Sequence, residues 1–124
     1  MNLNQVTVSV GNIKISIDFY QKLGLTLIVQ ADHYARFECP KGEATFSIHL
    51  SDQETGNCQT SVYFEIEDLD AYVDKLVESG FIFTELPNDK PWLWREARLK
   101  DPDNNTLILY KAGINRKYPP WRII

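Results

Sequence analysis

Hydrophobic and polar residues alternate along two short segments that lie 56 residues apart. In the first segment, residues 5–10, three valines occupy every second position. In the second segment, residues 61–66, Val62, Phe64 and Ile66 do the same. Alternation with a period of two predicts a β-strand with one buried face. Apolar residues at helical spacing follow each segment, so the pattern predicts two repeats that each open with a strand and a helix.

The ends of the two predicted helices carry capping residues. Asn12 precedes the first helix as an N-cap, and Gly24 follows it where a C-cap glycine belongs. In the second repeat, Asp68 is predicted to cap the helix and Gly80 to end it. The matched spacing of these residues indicates an internal duplication.

Three further strands are predicted after each helix. They cover about Thr26–Gln30, His33–Glu38 and Ala44–Leu50 in the first repeat, and Phe81–Thr84, Trp94–Lys100 and Leu107–Tyr110 in the second. Residues 39–42 and 101–104 are predicted turns, and Leu86–Pro91 is a predicted loop. We therefore expect one α+β domain over 1–124, built from two tandem βαβββ modules. The modules span about 1–50 and 60–112, with a linker at 51–59 and a tail at 113–124.

The duplicated unit resembles the vicinal oxygen chelate superfamily, which includes glyoxalases, bleomycin-resistance proteins and extradiol dioxygenases. The matching segments are residues 6–10, 17–25, 62–71 and 101–105, and the likeness covers about residues 3–112. The last segment resembles the family's Asp-Pro-Asp-Gly-Asn turn, with Asn104 in place of glycine; asparagine tolerates a positive φ. The resemblance implies an open, cup-shaped mixed sheet with the helices on its outer face.

The resemblance also implies where a divalent metal would bind. In metal-dependent members, four His, Glu or Gln ligands come from the first and last strands of the two modules. This chain has Gln5, Ser61 and Ile108 at three of these positions, and either Phe46 or Ser47 at the fourth. Strand alternation favours Ser47, because Phe46 then points into the core. Hydroxyl groups are poor ligands for such metals and isoleucine has no donor atom, so a metal is disfavoured and no cofactor is predicted.

Strand parity predicts a polar face opposite the helices. Two carboxylates there, Glu65 and Glu96, are candidate general bases if they are desolvated. His49 is expected on this face and His33 on the opposite side. The candidate ligand-binding residues are Gln5, Thr7, Arg36, Glu38, Ser47, His49, Ser61, Tyr63, Trp92, Trp94, Arg98, Ile108 and Tyr110. The alternatives are charges that simply pair across a solvated sheet, and tryptophans that pack in the core or in a dimer interface.

Charge and composition narrow the classes of partner. The chain carries a net −4, but its last twelve residues hold three basic and no acidic side chains, so the other 112 residues carry −7. The negative charge of these 112 residues repels a phosphate backbone and so disfavours nucleic-acid binding. No apolar stretch approaches the roughly 20 residues that span a bilayer, and no signal peptide is evident. Cys39 and Cys58 have no CxxC spacing. We expect a cytoplasmic protein with reduced thiols. The resemblance also implies a homodimer, as is common in the superfamily, in which the basic tail could pack as an arm across the second copy.

Two functions are compatible with these features. The first is metal-independent binding of a small organic molecule, as in the bleomycin-resistance branch. The second is an enzyme of the lyase, isomerase or dioxygenase type that uses non-standard metal ligands or a glutamate base. The loss of the usual metal ligands at positions 5, 61 and 108 favours the first, and the sequence does not decide whether the protein is an enzyme.

Overall fold

The structure is a computed structural model that describes residues 1–54 and 60–123. The chain divides into two compact units, Met1–Thr60 with Asp101–Asn105, and Ser61–Lys100 with Thr106–Ile124. The elements in chain order are β1 (Gln5–Val10), α1 (Ile13–Leu23), β2 (Thr26–Gln30), β3 (Tyr34–Glu38), β4 (Thr45–Leu50), β5 (Ser61–Glu65), α2 (Leu69–Glu78), β6 (Phe83–Asp89), β7 (Arg95–Lys100), β8 (Thr106–Lys111) and α3 (Ile114–Lys117).

Each unit contains one four-stranded mixed sheet. The strand order is β1-β4-β3-β2 in the first sheet and β5-β8-β7-β6 in the second. The first strand of each repeat pairs in parallel with the last, while the other pairs are antiparallel. The predicted α+β class with two βαβββ repeats is confirmed. Among the described residues, no helix is long and apolar enough to cross a membrane.

Helix α1 begins and ends where the sequence predicts. The extended Asn12 accepts a hydrogen bond from the backbone N–H of Ile15 at 3.0 Å. Gly24 has a φ of 124°, which a residue with a side chain rarely adopts, and its N–H bonds to the carbonyls of Tyr20 and Gln21. The helix buries Ile13, Ile17 and Tyr20 against its own sheet, so the caps fix the register of this core face.

The N-terminus of α2 differs from the prediction. Asp68 makes no side-chain capping hydrogen bond, because its ψ of 61° departs from the extended conformation that aims a capping oxygen at the first turn. The helix ends at Glu78 with Ser79 as its C-cap, and Gly80 follows at a φ of 99°. Leu69, Val73 and Leu76 are buried, so apolar burial rather than a side-chain cap holds this helix.

The prediction of a short strand at 81–84 and a loop at 86–91 is wrong. Strand β6 runs from Phe83 to Asp89 and includes Pro87. Proline is tolerated here because β6 is an edge strand with a register shift between Glu85 and Asn88, where the missing N–H is not needed. The connection to β7 is a tight turn in which Leu93 has a φ of 68°.

A buried aspartate organises the segment Asp101–Asn105 of the first unit. One carboxylate oxygen of Asp101 accepts the backbone N–H groups of Asp103 and Asn105, and the other accepts the Asn105 amide and the Tyr20 hydroxyl at 2.8 and 2.6 Å. The predicted positive φ of Asn104 is confirmed at 63°. Four donors on one carboxylate explain how Asp101 is buried at 4% exposure.

Candidate functional site

The polar face of the first sheet is set by the register of its strands. Ser47 lies opposite Thr7 on one side and Arg36 on the other, and His49 lies opposite Ser9 and Tyr34. Phe46 is buried at 2% exposure and faces the core, so the alternation that favours Ser47 over Phe46 is confirmed. The predicted residues that share this face are Gln5, Thr7, Arg36, Glu38, Ser47 and His49.

Hydroxyl groups and a guanidinium form a connected cluster on this face. The Thr7 and fully buried Ser47 hydroxyl oxygens are 2.6 Å apart, and Arg36 Nε donates to the Tyr34 hydroxyl at 2.9 Å. A hydrogen bond with Ser47, then the hydrogen bond and charge of Arg36, lower the pKa of Tyr34 because they favour its phenolate. The cluster therefore groups three hydroxyls and one guanidinium on this face.

Gln5, Glu38 and His49 lie around this cluster. Gln5 Oε1 accepts a hydrogen bond from Thr45 at 2.8 Å, and Glu38 is exposed opposite Thr45. The His49 ring packs edge-on against His33 with centroids 6.2 Å apart. The expected orientation of His33 is therefore wrong, because β3 begins at the following residue and strand parity does not extend to it.

The second sheet presents the equivalent face with different chemistry. Ile108 lies between Tyr63 and Arg98, and Tyr110 lies between Glu65 and Glu96. Ile108 is completely buried, so an apolar side chain occupies the position that Ser47 has in the first repeat. The predicted residues on or beside this face are Ser61, Tyr63, Glu65, Trp92, Trp94, Glu96, Arg98, Ile108 and Tyr110.

A buried carboxylate lies near the centre of this face. Glu96 is 1% exposed, accepts a hydrogen bond from the Trp92 indole at 2.6 Å, and has an oxygen 3.5 Å from Arg98 Nη2. Arg98 also lies 3.7 Å from a Glu85 oxygen, and Glu85 in turn pairs with Lys90. Hydrogen bonding by Lys90 lowers the pKa of Glu85 most. Arg98 is therefore neutralised by two carboxylates.

Three aromatic rings pack together beside these charges. Trp94 stacks on Tyr110 with centroids 4.8 Å apart, and Tyr63 meets both rings edge-on at 5.9 and 5.5 Å. Tyr110 is buried, which raises the pKa of its hydroxyl, whereas Tyr63 is 45% exposed. The cluster thus combines a buried ring, Tyr110, with an accessible one, Tyr63.

Glu65 is held by the backbone that follows β8. Its Oε2 accepts the N–H groups of Ala112 and Gly113, both at 2.9 Å, and Arg116 lies 3.9 Å from Oε1. These contacts tie the segment after β8 to β5. They give Glu65 a structural task and leave Glu96 as the better placed of the two candidate bases.

A cleft of about 480 Å³ opens in the second unit between the β6–β7 turn and the start of the tail. Leu93, Trp94 and Ala112 form its apolar wall, and Lys111 contributes a positive charge. Arg95 also lines it but is already paired with Asp70 and Asp89, at 2.9 and 3.0 Å. The remaining lining residues are Asp89, Lys90, Gly113 and Asn115.

The residues at the implied metal positions do not fit a divalent ion. Gln5 and Ser47 supply one amide and one hydroxyl, and the hydroxyl is already bonded to Thr7. Ser61 adds a hydroxyl, and Ile108 has no donor atom. Residues 1–54 and 60–123 also contain no group of three His, Cys, Asp or Glu side chains able to hold a metal. Cys39 is partly buried, which raises the pKa of its thiol, and Cys58 lies outside the described residues.

The fold and the repeat together define a protein class. The family model of the Glyoxalase/Bleomycin resistance protein/Dioxygenase superfamily matches residues 2–109, and the chain belongs to this superfamily. The expected resemblance is confirmed. A relative from Bacillus subtilis (strain 168), the uncharacterized protein YraH, is 32% identical over 130 residues, covering 90% of this chain and 98% of the relative.

Two solved structures illustrate the shared fold. A glyoxalase/bleomycin resistance protein/dioxygenase from Nocardioides superposes with a TM-score of 0.76 and 20% identity, over 90% of this chain and 83% of that chain. A bleomycin-binding protein in complex with bleomycin superposes with a TM-score of 0.75 and 16% identity, over 90% of this chain and 98% of that chain.

Sequence reasoning misses several members of the two polar faces. Strand parity puts Tyr34 on the same face as Arg36, two residues away on β3, but does not single it out as a site residue. Glu85 and Lys90 are missed because the strand that carries Glu85 is predicted to end at Thr84. Both repeats carry an arginine at the same position of the sheet, Arg36 and Arg98. These arginines are the available signal for the missed partners, since a charge on a half-buried strand favours a partner on the neighbouring strand.

Proposed function

We propose that this protein binds a small organic molecule on the polar face of its second sheet without a divalent metal. The observation that carries the proposal is the aromatic cluster of Tyr63, Trp94 and Tyr110 beside the Glu96–Arg98 pair. Aromatic surface with a few fixed polar groups is typical of small-molecule sites. The poor donor set at the implied metal positions supports binding without a metal, and a structural neighbour holds bleomycin.

The test combines metal analysis with ligand titration. Protein purified without chelator is analysed for divalent metals, and tryptophan fluorescence is then followed as metal-free bleomycin is added. We expect no stoichiometric metal and a saturable fluorescence change that chelator leaves unaltered. Replacing Trp94 by Phe should weaken the signal, whereas the same change at Trp121, which is 56% exposed in the tail, should not. Binding that disappears with chelator and returns with a divalent ion would contradict the proposal.

An acid–base enzyme is the second candidate, and the burial of Glu96 is the observation that favours it. Desolvation beside Trp92 and Arg98 gives this carboxylate a defined orientation. A screen for proton abstraction from carbonyl compounds tests the idea with Glu96→Gln and Glu65→Gln. Turnover that survives both changes would eliminate these bases. The homodimer and the cytoplasmic location stay predictions, which light scattering and cell fractionation test.

A further inference from the structure

The two repeats carry an arginine at the same position of the sheet. Arg36 on β3 lies opposite Ser47 and Val29, and Arg98 on β7 lies opposite Ile108 and Glu85. Each arginine lies two residues after another residue of the same polar face. That residue is Tyr34 in the first repeat and Glu96 in the second. The duplication therefore offers an internal comparison of one side chain in two environments.

The two environments differ in charge. Arg98 is neutralised by carboxylates on two strands, with Glu85 at 3.7 Å and Glu96 at 3.5 Å. Valine and tyrosine occupy the equivalent places around Arg36, whose Nε donates to the Tyr34 hydroxyl.

In the described part of the chain, no carboxylate oxygen lies within 4 Å of the Arg36 guanidinium, and neither of its Nη atoms has a hydrogen-bond partner. Its contacts are the hydrogen bond to the Tyr34 hydroxyl and the ring of the same tyrosine, whose centroid is 5.4 Å from the guanidinium carbon. Glu38 on β3 and His49 on β4 are the other titratable groups of these strands on the face, and the His33 ring packs edge-on against His49. Nε is held in place, while the two terminal nitrogens remain available in the fork that fits a planar carboxylate.

We propose that Arg36 is the anion-binding group of the protein, and that its ligand is a small organic molecule bearing a carboxylate or a similar oxyanion. This inference goes beyond the proposed function, because it assigns a ligand of stated charge to the first sheet. The oxyanion bonds to the Nη atoms of Arg36, and the Tyr34 and Ser47 hydroxyls fix the orientation of the site. Arg98, in contrast, is a structural ion pair and does not contact the anion.

Nuclear magnetic resonance tests the proposal on the intact wild-type chain. The Nε–Hε signal of Arg36 is identified by its loss in Arg36→Lys, and that of Arg98 by its loss in Arg98→Lys. Benzoate is then titrated against each signal, with benzyl alcohol as an uncharged analogue. We expect benzoate to shift the Arg36 signal in a saturable way and benzyl alcohol to leave it in place. A larger benzoate shift at Arg98, or no benzoate shift at Arg36, would overturn the proposal.

Three variants measure the same contact by affinity. Arg36→Gln should weaken benzoate binding at least about tenfold, because a charge-assisted pair is lost, whereas Arg122→Gln in the tail should change it less than about twofold. Tyr34→Glu copies the second repeat into the first and should abolish binding by neutralising Arg36 internally. Equal benzoate affinity in wild type and Arg36→Gln refutes the inference. Bleomycin binding without benzoate binding defeats this inference alone, while chelator-sensitive bleomycin binding defeats the proposed function.

Discussion

The buried hydrogen bond between Tyr20 and Asp101 should be one of the most stabilising single contacts of the first unit. Both side chains are buried, at 0% and 4% exposure, and the hydroxyl donates to the carboxylate at 2.6 Å. Burial, reinforced by the neighbouring charge of Asp101, raises the pKa of Tyr20 far above its usual range, so the phenol remains a donor throughout the accessible pH range.

Tyr20→Phe removes this donor and little volume. The other three hydrogen bonds to Asp101 remain, so the carboxylate loses one of its four donors. A hydrogen bond to a charged group contributes about 1.5–3 kcal/mol, and we expect a loss of about 2 kcal/mol in the free energy of unfolding. With a typical dependence of the unfolding free energy on urea concentration for a small protein, the urea concentration at the unfolding midpoint falls by roughly 1 M.

The assay is urea unfolding followed by far-ultraviolet circular dichroism. Tryptophan fluorescence is unsuitable because Trp92, Trp94 and Trp121 all belong to the second unit. Tyr63→Phe is the matched control, since that ring is 45% exposed, and it should change stability by less than about 0.5 kcal/mol. Equal midpoints for Tyr20→Phe and Tyr63→Phe would refute the reasoning.

Three further predictions concern ionisation, the tail and backbone strain. Tyr34 should ionise below the ordinary tyrosine pKa because hydrogen bonds and a guanidinium favour its phenolate. The associated stability is complete only above the unfolded pKa of about 10 and is lost as pH falls through the lowered folded-state pKa. The difference in phenolate absorbance between wild type and Tyr34→Phe measures this, and an unshifted titration contradicts it. Glu65→Ala should expose two backbone N–H groups and increase proteolysis after β8, unlike Glu78→Ala on an exposed helix end; equal cleavage of the two variants would show that Glu65 does not anchor this segment. Leu93→Gly should leave stability unchanged or raise it by up to about 1 kcal/mol, because leucine is strained at a φ of 68°, while Leu86→Gly in a strand should lower it in the same urea assay. A larger loss for Leu93→Gly would contradict the strain argument.

The architecture follows from local signals that are strong in this sequence. Strand alternation, the Asn12 cap and the Gly24 terminator each depend on a few neighbouring residues, and all three are present in the structure. The full length of β6 is not predictable in this way, because Pro87 and its polar neighbours look like a loop when the strand's position in the sheet is unknown. Whether a proline is tolerated depends on the edge position of the strand, which is a tertiary property.

The candidate site is only partly predictable, because parity specifies a face and not the partners on it. Parity places Arg36 and Arg98 correctly, yet it treats them as equivalent. Their different partners depend on the register between β2 and β3 and between β6 and β7, where shifts in pairing bring Val29 beside one arginine and Glu85 beside the other. A sequence pattern does not define such a bulge, so it does not distinguish the two arginines.

The difference between the two arginines also bears on why the faces diverged. A charge on a half-buried sheet loses hydration, and neighbouring carboxylates offset that loss, as Glu85 and Glu96 do for Arg98. If folding stability alone had shaped the first repeat, carboxylates at positions 29 and 34 would have neutralised Arg36 in the same way. The presence of Val29 and Tyr34 instead leaves a guanidinium uncompensated by protein carboxylates in the described structure. Such an arrangement lowers stability in the free protein and becomes favourable when a ligand brings the negative charge, which is why we propose the first sheet as a place to test for binding of an anion.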